Sequence, residues 1–424
     1  MFLGLSLAAW LVIIVAIAAF ATLIFTKLNP SLVFFVMMAL FAILPVMSFT
    51  EAFAGFAGNS VLLVGVLFIV IAGLKYSGAL DWMVKHLMGQ PKNYVAAILR
   101  LMLPVSLLSS VMSNTTTTAL FKGVVQRWAK TMHMSPSKLL IPLAYAATIG
   151  GLLTLIGTPP NLIISSLYAA KSGVALNLFA PFPVAICCVL VDVLVVILLR
   201  RFLPERTCPE LQDDTLRDEN GQTITSQAPK WKMYLSLGVM VTMLVASACS
   251  IPGVPMESCA LIAGLLMLVF GCCTPKQAFK EIDWNVLIVF AGSIGLGAAI
   301  DKTGIDDHIV EGLLTLCGGS PIGVLVALAL VSGLMTEIIS DTACGAMFFS
   351  IAWEAATQLG VDPMPFLLVL MMSVSSSFST PIATPPNLLV YIDGGYRFTD
   401  YMRVGIPMKI CHIATAIGAA LLIY

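Results

Sequence analysis

Four short polar segments interrupt the apolar sequence, and they occur as two similar pairs. The first pair is the polar run at residues 113–118 (SNTTTT) and the segment at residues 156–161 (IGTPPN). The second pair is the run at residues 340–342 (SDT) and the segment at residues 382–387 (IATPPN). Polar and helix-breaking residues are costly within apolar segments and usually serve a function. The duplication predicts one binding site that is built by two halves of the chain.

The two polar runs are suited to binding an anion. A helix that begins at such a run directs unpaired N–H groups and partial positive charge towards one point, which attracts anions without a basic side chain. Five side chains of the runs can also donate hydrogen bonds to carboxylate or other oxyanion oxygens, namely those of Ser113, Asn114, Thr115, Ser340 and Thr342. Neither run contains Lys or Arg.

The two Thr-Pro-Pro-Asn segments are suited to binding a cation. Proline lacks an N–H donor and clashes with the preceding helical turn, so breaks at residues 157–160 and 383–386 would free backbone carbonyl oxygens. Freed carbonyls together with Ser, Asn or Asp oxygens form a cage of hard oxygen ligands that suits Na⁺. Each half of the chain thus offers an anion-donor run beside a cation-acceptor break.

Other interpretations of these residues are less specific. Ser and Thr are common in membrane helices, where they bond back to the preceding turn, and this explanation suits a single run better than a duplicated one. Glu337 is either a structural acid or part of the site. We assign no role to the histidines near predicted helix ends, which are His86, His133, His308 and His412. A membrane enzyme is a weak alternative because the sequence has no Gly-rich phosphate loop, paired catalytic acids or nucleophile elbow.

The composition predicts an all-α protein with many membrane helices. Of 424 residues, 59% are hydrophobic and 10% are charged, and the mean hydropathy is +0.99, whereas a soluble domain carries about a quarter charged residues. Lys plus Arg equals Asp plus Glu, at 22 each, so no global charge points to nucleic acid. The ten scattered cysteines indicate neither a disulfide framework nor a metal site. Residues 5–25 lack a basic region ahead of them and are predicted to be a retained helix.

The duplication extends to the whole chain. We predict a first repeat at residues 1–204 with a re-entrant hairpin near 94–130, a linker at 205–231, and a second repeat at 232–424 with a hairpin near 321–359. Each repeat contributes five crossings, and because five is odd, the second repeat must be inverted relative to the first. Inverted repeats are typical of secondary transporters, whose site lies at the repeat interface near the midplane. The predicted crossings are residues 5–25, 31–46, 61–74, 139–170, 181–199, 234–248, 260–271, 286–300, 366–391 and 404–424.

The distribution of Lys and Arg predicts the orientation in a cytoplasmic (inner) membrane. If the central linker is cytoplasmic, most of the basic residues outside it also lie inside; Lys171 and Lys302, with Lys75 or Lys409, fall elsewhere. Both termini then face outside. The second hairpin opens outward, where it is flanked by Asp301, Asp306 and Asp307.

The paired motifs resemble those of the divalent-anion:sodium symporter (DASS) family within the ion-transporter superfamily, over nearly the whole chain. The resemblance implies an elevator-type homodimer in a lipid bilayer, with two Na⁺ sites and a small divalent anion as substrate. It implies a first Na⁺ site at Ser109, Ser113, Asn114 and Gly157, and a second at Thr336, Ile339, Asp341 and Ala383. It implies substrate contacts from Ser113, Asn114, Thr115, Ser340, Asp341 and Thr342, with Thr158, Thr384 and Pro385 nearby.

Several functional alternatives stay open at the level of sequence. A di- or tricarboxylate is favoured over sulfate, and a Na⁺/H⁺ antiporter, a proton-coupled anion transporter or exchanger, or a receptor that binds without flux would use similar motifs. Asp341 departs from the family, where Asn is usual. It either binds Na⁺ directly, exchanges a proton for Na⁺, or caps free backbone amides at the hairpin tip.

Overall fold

The computed structural model describes residues 6–26, 28–80, 82–83, 91, 93–206, 229–249 and 255–424. Regular structure in these residues is entirely helical, as the composition predicts. Five of the helices are long and apolar enough to cross a membrane, or six if one bent pair counts as a single span. The protein is therefore a multi-pass membrane protein. Most of the predicted linker falls outside the described residues, as do Lys27, Lys85, His86 and Lys92.

Among the described residues of the first half, five α-helices precede the first polar run and four lie between it and the linker. A short 3₁₀ helix, Ala54–Ala57, joins the third helix to the fourth. The helices are α1 (Leu7–Phe25), α2 (Pro30–Ile43), α3 (Phe49–Phe53), α4 (Asn59–Tyr76), α5 (Tyr94–Ser109), α6 (Asn114–Thr131), α7 (Ser137–Gly151), α8 (Pro159–Ser172) and α9 (Phe182–Leu198).

The second half follows a closely similar order. Both polar runs lie where one helix has ended and the next begins, and both Thr-Pro-Pro-Asn segments lie at the start of a short helix. The helices are α10 (Lys230–Ala248), α11 (Met256–Val269), α12 (Pro275–Glu281), α13 (Trp284–Thr303), α14 (Ile305–Leu316), α15 (Pro321–Met335), α16 (Asp341–Leu359), α17 (Pro363–Val374), α18 (Pro385–Asp393) and α19 (Phe398–Ile423).

The breaks differ from the sequence prediction in one respect. The two non-helical segments are residues 152–158 (the first break) and residues 375–384 (the second break). The prolines of the two Thr-Pro-Pro-Asn motifs lie outside them. Pro159 and Pro385 instead open the helices that follow. Proline is tolerated in the first helical turn because its missing N–H would be unpaired there in any case. Each break is therefore longer on its N-terminal side than the motif alone suggests.

The helices group by their contacts into two bodies. The first body contains α1–α4 and α10–α13, and the second body contains α5–α9 and α15–α19. The two bodies meet mainly where α13 packs against α8 and α16, and α14 also packs against α16. Lys171 of α8 and Asp301 of α13 form an ion pair of 2.6 Å across this contact. Both polar runs and both breaks belong to the second body.

A buried hydrogen-bonding contact between a carboxyl group and an imidazole joins α9 to α19 inside the second body. His412 Nδ1 lies 2.6 Å from Asp192 Oδ2, and both side chains are fully buried. The ring of His412 also packs edge-on against Phe378 in the second break. His412 therefore lies in the middle of a helix, and not near an end as its sequence position suggested.

Candidate functional site

The first tip consists of Ser113, Asn114 and Thr115, where α6 begins. Ser113 Oγ accepts a hydrogen bond from the Thr116 N–H at 3.3 Å and lies 2.8 Å from Thr116 Oγ1. It thus serves the first turn of α6 in the manner of an N-cap. Asn114 Oδ1 accepts a hydrogen bond from Ser109 Oγ at 2.9 Å. Two of the residues expected at the first cation site are therefore in direct contact.

The first break is tied to the first tip and to its own helix. The Thr154 hydroxyl donates to the carbonyl oxygen of Ser110, which lies between α5 and the tip. Asn161, in the first turn of α8, donates from Nδ2 to the carbonyl oxygen of Thr154 at 2.9 Å. The final residue of the Thr-Pro-Pro-Asn motif therefore closes the break across seven positions, which explains why an amide is suited to this place.

Gly151, the last residue of α7, packs tightly against the first tip and the first break. A Cβ atom at this position would lie 2.6 Å from Asn114 Oδ1, 3.1 Å from the Gly157 carbonyl oxygen and 2.4 Å from Thr158 Cγ2. A glycine is therefore needed for this close approach, which brings two oxygens expected at the first cation site near one point. Neutral side-chain and carbonyl oxygens suit Na⁺, so these groups are of the type that fits a sodium ion.

The second tip consists of Ser340, Asp341 and Thr342, where α16 begins. Ser340 is its N-cap and accepts from the Ala343 N–H at 3.3 Å, as Ser113 does in the first tip. Asp341 Oδ1 accepts from the Thr342 N–H at 3.1 Å. The carboxylate therefore meets one backbone amide of its own turn, which is part of what a capping role requires and leaves its other oxygen available.

The second break repeats the ties of the first with additional groups. Asn387 donates from Nδ2 to the carbonyl oxygens of Ser377 and Thr380, at 2.8 and 3.1 Å. Thr336, expected at the second cation site, donates to the Val374 carbonyl oxygen at 2.6 Å and lies 3.0 Å from Ser377 Oγ. The residues that precede the second tip are thus bonded directly to the second break.

Four buried polar atoms without a hydrogen-bond partner in the described structure occur in matching positions of the two breaks. They are the hydroxyl oxygens of Thr158 and Thr384 and the amide oxygens of Asn161 and Asn387. None of these side chains is more than 4% exposed. A buried polar atom without a partner costs about 1–3 kcal/mol, so such atoms usually have a ligand in the functional state. Their matching placement at the two motifs makes these four oxygens candidates to contact a bound ion or water.

The remaining predicted residues lie around these units. Thr115 and Ala383 are partly buried, Ile339 is buried, and Pro385 is exposed. Not every hydroxyl of the first run faces the site, because Thr117 and Thr118 bond back to the carbonyl oxygens of Ser113 and Asn114 at 3.1 and 2.8 Å. For these two threonines the structural interpretation holds.

One charged pair at the second unit was not identified from sequence. Lys409 of α19 lies 2.5 Å from Glu337 Oε1, and both side chains are 9% exposed. The sequence placed Lys409 only among the basic residues that can fall outside the cytoplasmic set, whereas it lies inside α19 and reaches the second unit. The i, i+3 spacing of Lys409 and His412 in the largely apolar C-terminal part of α19 was the signal available.

The tips and breaks together offer donors for an anion and acceptors for cations. The α6 and α16 N-termini and the tip hydroxyls can donate, while the break carbonyls and the Thr and Asn oxygens can accept. Groups of three or more His, Cys, Asp or Glu side chains that could hold a transition metal are absent from the described residues. The arrangement therefore offers groups of the right type for an anion and for a light cation.

Comparison with known proteins identifies the family. A family model described as a citrate transporter matches residues 20–366 and residues 250–424. The chain therefore belongs to the citrate transporter family, and it is a transporter rather than an enzyme. The resemblance to divalent-anion:sodium symporters is confirmed at the level of the family.

Relatives and a solved structure agree with this assignment. The uncharacterized transporter YfbS of Escherichia coli (strain K12) is 22% identical, over 95% of this chain and 96% of that protein. Sodium/sulfate cotransporter 1 of Chlamydomonas reinhardtii is 27% identical over 42% of this chain, which covers a fifth of that longer protein (20%). The Alcanivorax borkumensis YdaH transporter shares the fold, with a TM-score of 0.63 at 13% identity, over 98% of this chain and 97% of that one.

Proposed function

We propose that this protein is a sodium-coupled importer of a small divalent anion, with a di- or tricarboxylate favoured and sulfate as the close rival. The observation that carries the proposal is the duplicated unit of tip and break, in which Thr158 and Thr384 present unpartnered hydroxyl oxygens at equivalent positions. The name of the matching family supports a carboxylate, and the names of the Chlamydomonas relatives support both sodium and sulfate.

Each half of the site has a separate task in this proposal. The tips bind the anion through Ser113, Asn114 and Thr115 of the first half and Ser340, Asp341 and Thr342 of the second. Thr158, Thr384 and Pro385 line the same space from the breaks. Because the two helix N-termini carry partial positive charge, they hold a dianion without Lys or Arg at the tips.

Two sodium ions would bind between tips and breaks. The first would use Ser109, Ser113, Asn114 and the carbonyl of Gly157, and the closeness of Asn114 Oδ1 and the Gly157 carbonyl oxygen to Gly151 supports this placement. The second would use Thr336, the carbonyls of Ile339 and Ala383, and Asp341. Cations at these places would offset the charge of the dianion, so that anion binding depends on sodium.

An elevator motion of a homodimer would carry the site across the membrane. The division of the helices into two bodies supports this part of the proposal, because all four segments of the site belong to the second body. The first body would form the dimer contact and stay fixed. The inverted arrangement of the two repeats would place one hairpin on each side of the membrane.

Uptake into proteoliposomes tests the proposal. We expect labelled citrate or succinate to accumulate when an inward Na⁺ gradient is imposed, and to accumulate several times less with K⁺ in its place. Preferential uptake of labelled sulfate would change the substrate but keep the mechanism. Anion uptake that follows a proton gradient and ignores sodium would favour a proton-coupled transporter, and sodium flux against protons without any anion would favour an antiporter.

A further inference from the structure

The two repeats tie tip to break with different chemistry at equivalent positions. In the first repeat the Thr154 hydroxyl donates to the backbone carbonyl of Ser110. In the second repeat Thr380, 226 positions after Thr154, donates to Glu337 Oε2 at 2.9 Å, and Glu337 follows Ser110 by 227 positions. A neutral backbone acceptor in one half is thus replaced by a carboxylate in the other.

Both oxygens of the Glu337 carboxylate accept from protein groups. Oε1 accepts from the Ser379 N–H at 2.8 Å and lies 2.5 Å from Lys409 Nζ, and Oε2 accepts from Thr380. Lys409 also donates to the Gly333 carbonyl oxygen at 2.5 Å. These contacts fix the orientation of the carboxylate between the break and α19.

These bonds join the segments that carry the second cation site. Glu337 lies between Thr336 and Ile339, while Ser379 and Thr380 lie in the second break, which also contains Ala383. Lys409 adds α19 to the same cluster. The spacing between the tip ligands and the break carbonyl is thus set by a carboxylate that contacts both segments.

We propose that Glu337 and Lys409 are positioning residues for the second cation site. The carboxylate holds the second tip against the second break, and Lys409 balances its charge, so that Asp341 alone sets the charge presented to the cation. Without Lys409, the Glu337 carboxylate would add an uncompensated negative charge to the second unit and repel the anion. The inference rests on the proposed function, because it presupposes a cation between the second tip and the second break.

The test compares sodium and anion affinities of purified variants in nanodiscs, with labelled citrate as the probe. Glu337→Gln combined with Lys409→Met keeps the cluster neutral and retains an acceptor for the Ser379 N–H. Neutral replacement of a buried ion pair often preserves folding. We expect the sodium concentration for half-maximal citrate binding to rise about tenfold, the effect of losing about one charge-assisted hydrogen bond. The citrate Kd at saturating sodium should change less than twofold.

Three further variants sharpen the result. Lys409→Met alone leaves an uncompensated buried carboxylate, so it should unfold at a lower temperature than the double variant, and Lys409→Arg should keep most of the wild-type sodium midpoint. Thr154→Ala removes the neutral hydrogen bond between tip and break in the first repeat and is the matched control. It leaves the second cation site intact, so it should not reproduce the double variant's selective rise in the sodium midpoint at a nearly unchanged citrate Kd.

Two results would overturn the proposal by itself. One is a wild-type sodium midpoint in the double variant. The other is a rise in the citrate Kd at saturating sodium that is as large as the rise in the sodium midpoint, which is what a general loss of structure produces. Wild-type protein that binds citrate without any sodium dependence would instead contradict the proposed function, and this inference with it.

Discussion

The first and second units of tip and break share one backbone plan and differ in charge. Both tips begin with a capping serine, and both breaks are closed by the Asn of the Thr-Pro-Pro-Asn motif. The first unit is built from neutral groups. The second contains Asp341 in place of Asn114 and adds Glu337 and Lys409. The two units thus share the same backbone hydrogen bonds and differ in the charged side chains they contain.

A single position shows what this difference means for cation binding. Gly151 lets α7 approach Asn114 Oδ1 closely in the first unit. The residue 226 positions later is Ser377, whose hydroxyl lies 3.0 Å from Thr336 Oγ1. The first unit therefore offers neutral oxygens alone, whereas the second offers an additional hydroxyl and a carboxylate. We expect the second sodium site to bind more tightly than the first.

The largest effect is expected from Gly151→Ala, which would force a methyl group against the first tip and the first break. Its Cβ would lie 2.4 Å from Thr158 Cγ2 and 2.6 Å from Asn114 Oδ1. Overpacking of this kind costs about 1–3 kcal/mol, so sodium affinity should fall by about 5- to 150-fold. Titration of sodium-dependent citrate binding measures this change.

Gly123→Ala in α6 is the matched control for that variant. It adds the same methyl group to the first half, where nothing lies within 4 Å of the new atom. Its sodium midpoint should equal that of the wild type. If Gly151→Ala also behaves as the wild type, the oxygens of Asn114 and Gly157 do not bind the cation.

The next largest effect is expected from exchanging the one ligand that differs between the tips. Asp341→Asn makes the second tip resemble the first, and direct ligation predicts a sodium midpoint about tenfold higher, since a hydrogen-bonded or ion-paired charge contributes about 1.5–3 kcal/mol. The reciprocal change Asn114→Asp should strengthen sodium binding at the first tip. Both are measured as sodium titrations of citrate binding.

Repeating the Asp341→Asn titration at several pH values separates the three roles considered for this residue. Direct ligation predicts little pH dependence of the wild-type sodium midpoint until the carboxylate titrates. Proton exchange predicts a pH-dependent midpoint that disappears in the variant. A variant with wild-type sodium and pH responses would leave only the capping role, which the contact with the Thr342 N–H already satisfies in part.

A smaller effect is expected from removing one hydroxyl donor in each tip. Ser113→Ala and Thr342→Ala should each weaken citrate binding by about 0.5–3 kcal/mol, because each removes one donor to a charged acceptor. Thr117→Ala is the control, since its hydroxyl bonds back within α6. Calorimetric citrate titration at saturating sodium checks the result, and unaltered affinity in both tip variants would place the anion elsewhere. Ser113→Ala should also destabilise α6 slightly, because Ser113 acts as its cap.

The smallest functional effect is expected from single cysteines outside the site, which test the inverted arrangement. In a background without the ten native cysteines, His133→Cys and Lys276→Cys should label from the cytoplasm, and Asp307→Cys from outside. Asp307 is chosen for labelling because it is exposed, whereas the neighbouring Asp306 is only 5% exposed. Uptake should stay near that of the background, and labelling of His133 and Asp307 from one side would refute the inverted-repeat model.

The sequence revealed the parts of the site that break local rules, and it missed the parts that depend on long-range contacts. Proline pairs and hydroxyl runs in apolar sequence are visible without a structure, so the tips and the regions of the breaks could be located. Two buried contacts join residues that are far apart in the sequence. Glu337 meets Lys409 across 72 positions, and Asp192 meets His412 across 220. Nothing in a single sequence indicates which buried charges meet.

Short and amphipathic helices were the other weakness of the sequence prediction. Helices α3, α12 and α14 were not predicted as elements, because their mixed polar and apolar composition gives no membrane-length signal. Gly151 was also overlooked, since a glycine in an apolar helix usually reflects packing between helices. Its importance depends on the two oxygens that the fold brings to it.

The central claim is that one site, built by both repeats, couples sodium to an anion. Parallel measurement of ²²Na⁺ and labelled citrate flux in one proteoliposome preparation tests it most directly. The account predicts that each flux requires the other solute and that Gly151→Ala reduces both while Gly123→Ala reduces neither. Citrate flux that continues unchanged in the absence of sodium would contradict it.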